Sequence, residues 1–187
     1  MSAAEESRPR VAIVITRMNM GGPARLVTSL ATGMTGVRAV ILTGETGPRE
    51  GSMAESAVGA GAMVVDVPRL RRELAPIADL RAFLWLLRYF RREHPDVVAT
   101  HMAKAGALGR LASWLAGVPV RVHTFHGHVL EGYFGPGLSS VFQLAERLLS
   151  LFTTRFVAIS PTIANQLAEL GIGRRKTSVI RIGFDLA

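Results

Sequence analysis

Histidine is the side chain that donates, accepts or takes up a proton near neutral pH, and this chain has five. Four of them, His101, His123, His126 and His128, fall at or just before the ends of short apolar runs. In Thr124-Phe125-His126-Gly127-His128, two alternate. That pair fits metal ligation, general-base catalysis or hydrogen bonding to a polar ligand. A zinc site would need a further ligand such as His101 or Glu131. The chain has no cysteine, no H-E-x-x-H motif and no clear acidic cluster. No metal is therefore expected, and hydrogen bonding is the more economical reading. His123 lies inside an apolar run and reads as a packed core histidine.

A second group of residues acts through the backbone. Arg17-Met18-Asn19-Met20-Gly21-Gly22-Pro23 leads into a helical pattern. Free N–H groups at a helix start favour anions, and Gly21 and Gly22 admit a ligand close to the backbone. Pro23 removes one donor, leaving the glycines and Ala24 or Arg25. The plainer alternative is a tight turn that needs glycines. The loop is not a dinucleotide fingerprint, because no G-x-G-x-x-G is present, although Glu45 imitates its ribose-binding acid. Nor is there a P-loop: Lys104-Ala105-Gly106 runs in the wrong order.

Alternating short strands and longer helices must position these groups. Val11–Thr16 is a continuous apolar run, as expected of a strand buried on both faces. Further strands are expected at Ala39–Thr43, Met63–Val67, Asp96–Thr100, Val120–Thr124, Arg155–Ile159 and Ser178–Ile182. Helices are expected at Ala24–Met34, Met53–Gly59, Pro76–His94, Lys104–Ala116, Leu138–Phe152 and Pro161–Leu170. In the longest, Leu80, Phe83, Leu84, Leu87 and Phe90 follow the spacing of a buried face. The alternation predicts a Rossmann-like α/β fold: a parallel sheet of about seven strands with helices on both faces. Ligands in such folds bind beyond the carboxyl ends of the strands, where both groups of residues lie.

The 187 residues suit one domain, with residues 1–9 as a flexible start and 10–187 as the folded unit. An apolar fraction of 49% excludes global disorder. Lys+Arg exceeds Asp+Glu by 22 to 14, and all but Lys104 and Lys176 of those cations are arginine. A net charge of +8 permits a phosphorylated ligand, an anionic membrane or nucleic acid. Nucleic acid is the poorest fit, because no binding motif accompanies the charge. Arg81, Trp85, Arg88, Tyr89 and Arg92 share one side of the longest helix. They suit an anionic surface, but a solvated face with arginine stacked on rings is favoured. No signal-peptide h-region and no spanning apolar run occurs, so the expected location is cytoplasmic, at most peripheral at the inner membrane face.

Several segments together resemble one family. They are Arg17–Arg25, Asp96-Val97-Val98 with His101–Arg110, Val122–His128 followed by Gly132-Tyr133-Phe134, Ala158-Ile159-Ser160-Pro161, and Val179–Asp185. Each is weak alone. As an ordered set they resemble the amino-terminal domain of family-4 retaining glycosyltransferases of the GT-B fold. The resemblance implies an acceptor-side domain facing a donor-binding domain that carries an E-x7-E motif, which this chain lacks. It implies transfer from a nucleotide sugar such as a UDP- or GDP-sugar, with no cofactor and no metal. It assigns Gly21 and Gly22 to the donor phosphate or sugar, and His126 to the reacting centre. Asn19, Arg25, His101, Lys104, His128, Tyr133 and Ser160 are candidate acceptor or phosphate contacts. Arg181-Ile182-Gly183-Phe184-Asp185 departs from the family's Pro-Asn-Gly-Ile-Asp. The chain alone is expected to be inactive, needing a donor domain in cis or trans. The alternative is a non-catalytic module of the same fold that binds a sugar phosphate or lipid head group.

Overall fold

The computed structural model describes residues 7–47, 49–127, 136–173 and 175–183. Seven strands form one sheet: β1 (Arg10–Ile15), β2 (Arg38–Thr43), β3 (Met63–Asp66), β4 (Val97–His101), β5 (Val120–Phe125), β6 (Arg155–Ala158) and β7 (Thr177–Val179). Their order is β3-β2-β1-β4-β5-β6-β7, and every pairing is parallel. The helices are α1 (Gly22–Gly33), α2 (Ala54–Gly59), α3 (Pro76–Glu93), α4 (Ala103–Leu115), α5 (Pro136–Leu151) and α6 (Pro161–Glu169). The expected architecture is the observed one, with ends moved by one to three residues.

The continuous apolar run of β1 feeds two cores. Val11, Ile13 and Ile15 pack with Met18, Ala24, Val27 and Ala57, under α1 and α2. Ala12 and Val14 pack with Ala82, Leu86, Phe90, Ala105 and Ala112, under α3 and α4. A third cluster joins Phe156 and Ala158 of β6 to Ile163 and Leu167 of α6. Alternate residues of one strand therefore serve opposite faces.

Of the stripe expected on α3, only Phe90 is fully buried. Ala82, Leu86 and Phe90 are its buried residues, while Leu80 is 57% exposed. Phe83 and Leu87 flank the core as partly buried neighbours, beside Trp85 and Tyr89. The helix is apolar around more than half its circumference, so its period alone does not select the inner face. The basic side takes its plainer form: Trp85 stacks on Tyr89 at 5.1 Å, and the Arg92 guanidinium lies 5.8 Å from the Tyr89 ring centre.

Helix α4 lies against β1, β4 and β5 through two glycines. A Cβ on Gly109 would stand 2.8 Å from Thr100 Cγ2, and one on Gly106 would stand 2.4 Å from His123 Cε1. Arg110 of this helix is fully buried. Its Nε donates to the Gly106 carbonyl, and its Nη2 lies 2.8 Å from both carboxylate oxygens of Glu146 on α5. Burial pushes the guanidinium's pKa down, and Glu146 opposes that shift. The ion pair pins α5 to α4. No described helix is long and apolar enough to cross a membrane.

Candidate active site

The strand order reverses between β1 and β4. Crossovers leave in opposite directions there, opening a crevice beyond the carboxyl ends of the strands. Three segments reach that edge: the loop after β1, the last residue of β4, and the first residues after β5. The start of α4 is tied to the same place by the Ala105 N–H, which donates to Thr16 Oγ1 at 3.1 Å.

His101 ends β4 and His126 follows β5. Register places His101 beside Thr124, so His126 overhangs its neighbour by two positions. Their rings meet, with His101 Nδ1 at 2.8 Å from His126 Nε2 and ring centres 5.1 Å apart. His101 is 1% exposed, and His126 is half-buried. Burial first, then the neighbouring ring, pushes His101 down to about 3. Burial pushes His126 down to about 4. Both imidazoles are neutral at pH 7. The remaining nitrogens, His101 Nε2 and His126 Nδ1, are buried without a partner among the described residues. The turn that delivers His101 is strained: Met102 has φ 67° and ψ 157°, a region that side chains other than glycine's avoid.

His123 differs. It is 2% exposed, and its Nδ1 lies 2.8 Å from Thr100 Oγ1. That hydroxyl already donates to the Val122 carbonyl, so it accepts from His123 Nδ1–H. His123 is the packed histidine that its place in the strand predicted, held neutral chiefly by burial.

The loop after β1 ends in the exposed pair Gly21-Gly22. Helix α1 starts at Gly22, two residues earlier than expected, because Pro23 fits the first turn and Arg25 N–H donates to the Gly21 carbonyl. Within the helix, the N–H groups of Gly22 and Ala24 have no partner. Gly21 is extended at φ 171° and ψ 173°. A Cβ there would meet only Pro23 Cδ, at 3.9 Å. Neither conformation nor packing inside the chain requires glycine at this position. The loop is braced by the one after β2. Asn19 bridges Ser52, Met53 N–H donates to the Met18 carbonyl, and Arg17 pairs with Glu50 at 2.7 Å.

The other expected contacts divide. Arg25 is exposed on the first turn of α1. Lys104 is turned to structure: its ammonium pairs with Asp79 at 2.7 Å and donates to the Glu73 carbonyl, tying α4 to α3. Ser160 caps α6, its Oγ accepting the Ile163 N–H at 3.2 Å. His128 and Tyr133 lie outside the described residues. Among the described residues, no three metal-ligating side chains gather. Two features escaped sequence reasoning, the contact between the His101 and His126 rings and the Arg110–Glu146 pair. A histidine at the end of each of two neighbouring strands was the available signal for the first.

Residues 21–183 match the glycosyl transferase 4-like domain. The chain belongs to that family. Among curated members, it is 36% identical over 121 residues to the UDP-Gal:alpha-D-GlcNAc-diphosphoundecaprenol alpha-1,3-galactosyltransferase of Escherichia coli. It is 26% identical over 121 residues to the capsular polysaccharide biosynthesis glycosyltransferase CapM of Staphylococcus aureus. These matches cover 64% and 65% of this chain but 31% of each relative. The glycosyl transferase 4-like fold is shared with Anabaena HepE, solved with UDP and glucose: TM-score 0.77 at 16% identity, over 95% of this chain and 45% of HepE. The fold is thus that of the amino-terminal half of a GT-B protein, and the chain spans less than half the length of the proteins it matches.

Proposed function

We propose that this chain is the acceptor-side domain of a retaining glycosyltransferase. It acts with a donor-binding domain to move a sugar from a UDP- or GDP-sugar to an acceptor. The observation that carries this reading is His126, a neutral imidazole with one unpartnered nitrogen at the sheet edge where α1 also begins. Glycosyl transfer needs the leaving diphosphate stabilised and positive charge tolerated on the sugar. Free amides at the start of α1 suit the first need. A protonated imidazole would repel the developing charge, and a neutral one does not. With its pKa near 4, His126 is too weak a base for efficient proton transfer at pH 7. Its role is a hydrogen bond to the donor sugar.

The E. coli relative supports a nucleotide-sugar donor, since that protein uses UDP-Gal. That protein's acceptor is a diphosphoundecaprenol-linked sugar, which supports a lipid-linked acceptor here too. Exposed Leu144, Leu148 and Leu151 on α5, with the excess of arginine, suit an anionic membrane surface. The test is transfer by a protein that joins this chain to its donor domain. His126→Ala should lower turnover about 100-fold, the usual cost of losing one preorganised hydrogen bond, with the fold retained. Turnover equal to that of the unaltered protein would refute the reading.

A further inference from the structure

We propose that the outer face of α3 docks the protein on an anionic membrane surface, with the cleft beside it. The helix lies on the bilayer and does not cross it. The proposal rests on the lipid-linked acceptor of the proposed function for its purpose, but its test does not need turnover.

A helix on the surface of a soluble domain ordinarily has one apolar stripe, turned to the core. Helix α3 has two. Ala82, Leu86 and Phe90 form the buried one. Ile77, Leu80 and Leu84 recur at i, i+3 and i+7, about half a turn around the helix from the first. Ile77 is 73% exposed and Leu80 57%. Leu74, in the loop that leads into the helix, is 74% exposed. None of these side chains is among those packed on the core beneath α3. Contacts within the chain account for the first stripe and leave the second bare.

The charge around that stripe selects what covers it. Arg81 and Arg88 stand at i−3 and i+4 from Leu84, which makes them its neighbours on the helix surface. Both are exposed, and neither makes a hydrogen bond or ion pair among the described residues. From Arg69 to Arg92 there are seven arginines against two acids, Glu73 and Asp79, and Asp79 is taken by Lys104. An apolar row lined by unpaired guanidinium groups complements a bilayer of anionic lipid, whose acyl chains take the apolar side chains and whose phosphates take the arginines. The exposed leucines of α5 differ, because that helix carries one arginine and one glutamate. They add apolar area but no net charge. Position agrees with the assignment. Lys104 pairs with Asp79 and donates to the Glu73 carbonyl, which sets the Leu74–Leu80 end beside the start of α4, at the carboxyl edge of the sheet. A lipid-linked sugar held in the cleft keeps its tail in the same bilayer.

Cosedimentation of the chain with lipid vesicles tests this. Vesicles of phosphatidylglycerol and phosphatidylcholine in roughly equal parts should bind it, and phosphatidylcholine alone should not. Raising the salt from about 0.1 M to about 0.5 M should weaken binding, because it screens the arginines. Ile77→Ser with Leu80→Ser should weaken binding about tenfold, and so should Arg81→Gln with Arg88→Gln. All four side chains are exposed, so both variants should keep the urea midpoint of the unaltered chain. Leu144→Ser with Leu148→Ser should weaken binding less. Binding unmoved in both α3 variants overturns the proposal, as does a loss confined to the α5 variant or equal binding to vesicles without phosphatidylglycerol. So does a dimer that separates in the α3 variants while vesicle binding stays, which would make the face an interface between copies. If α3 binds vesicles but the protein joined to the proposed donor domain transfers no sugar, the glycosyl-transfer reading fails and this one stands.

Discussion

The seam between α4 and β5 and the edge of the cleft use the same residue types to opposite ends. At the seam, His123 is sealed, bonded to Thr100 and seated against Gly106, whose missing side chain makes room for its ring. At the edge, three positions on, His126 is bonded on one side only. A side chain on Gly21 there would make only ordinary contact with Pro23. The seam explains its own residues by packing. The edge does not, and residues that a fold leaves unexplained are where a ligand is to be sought.

The largest effect should come from the seam. His123→Ala should cost about 3 kcal/mol in urea unfolding, from lost contacts and a cavity. His126→Ala should cost about 1 kcal/mol, from one broken hydrogen bond. Gly106→Ala should also destabilise, by about 2 kcal/mol through overpacking, although alanine is the better helix former. In a His123→Ala background the same change should be neutral or stabilising. An equal cost in both backgrounds would dissolve the seam.

Acid should act on the two regions together. His101, His123 and His126 all have folded-state pKa values below the ordinary 6.5. Below pH 6.5 the unfolded chain binds protons that the folded chain refuses, so stability is full above 6.5 and falls with pH. For His126 the loss runs down to about pH 4, and for His101 to about pH 3. Urea midpoints measured from pH 7 to pH 5 should fall. Replacing any one of the three should flatten the slope by about one proton. An unchanged slope in His101→Asn would show that its ring is not held neutral.

The smallest effect on stability belongs to Gly21. Gly21→Ala should leave the urea midpoint within about 0.5 kcal/mol, because its conformation suits any residue. In a protein that joins this chain to the proposed donor domain, the same change should weaken nucleotide-sugar binding about tenfold, measured by calorimetry. A stability loss with unchanged binding would place Gly21 with Gly106.

The sheet was legible because a buried parallel strand announces itself as an apolar run, as Val11–Ile15 does. Loop glycines and prolines marked the turns to within a few residues. The inner face of α3 was not legible, because Leu80 and Leu86 are chemically alike and only the sheet beneath decides which is covered. The site was half legible. Glycine loops and strand-end histidines declare themselves by type and place. The bond between His101 and His126 depends on the β4–β5 register and on two ring rotations, which no spacing encodes. Lys104 shows the reverse case, because a lysine at a loop suggests phosphate, and its pairing with Asp79 is written nowhere in the spacing.

The position of β1 governs the order in which the chain can assemble. One neighbour, β2, follows directly after α1, with Arg38 paired to Arg10, but the other is reached only through Asp96, 86 residues beyond Arg10. During synthesis, β1 and β2 can pair early, while the far edge of β1 stays bare until β4 leaves the ribosome. A nascent chain halted before residue 96 exposes that edge, with apolar side chains on both sides of it, to any passing strand.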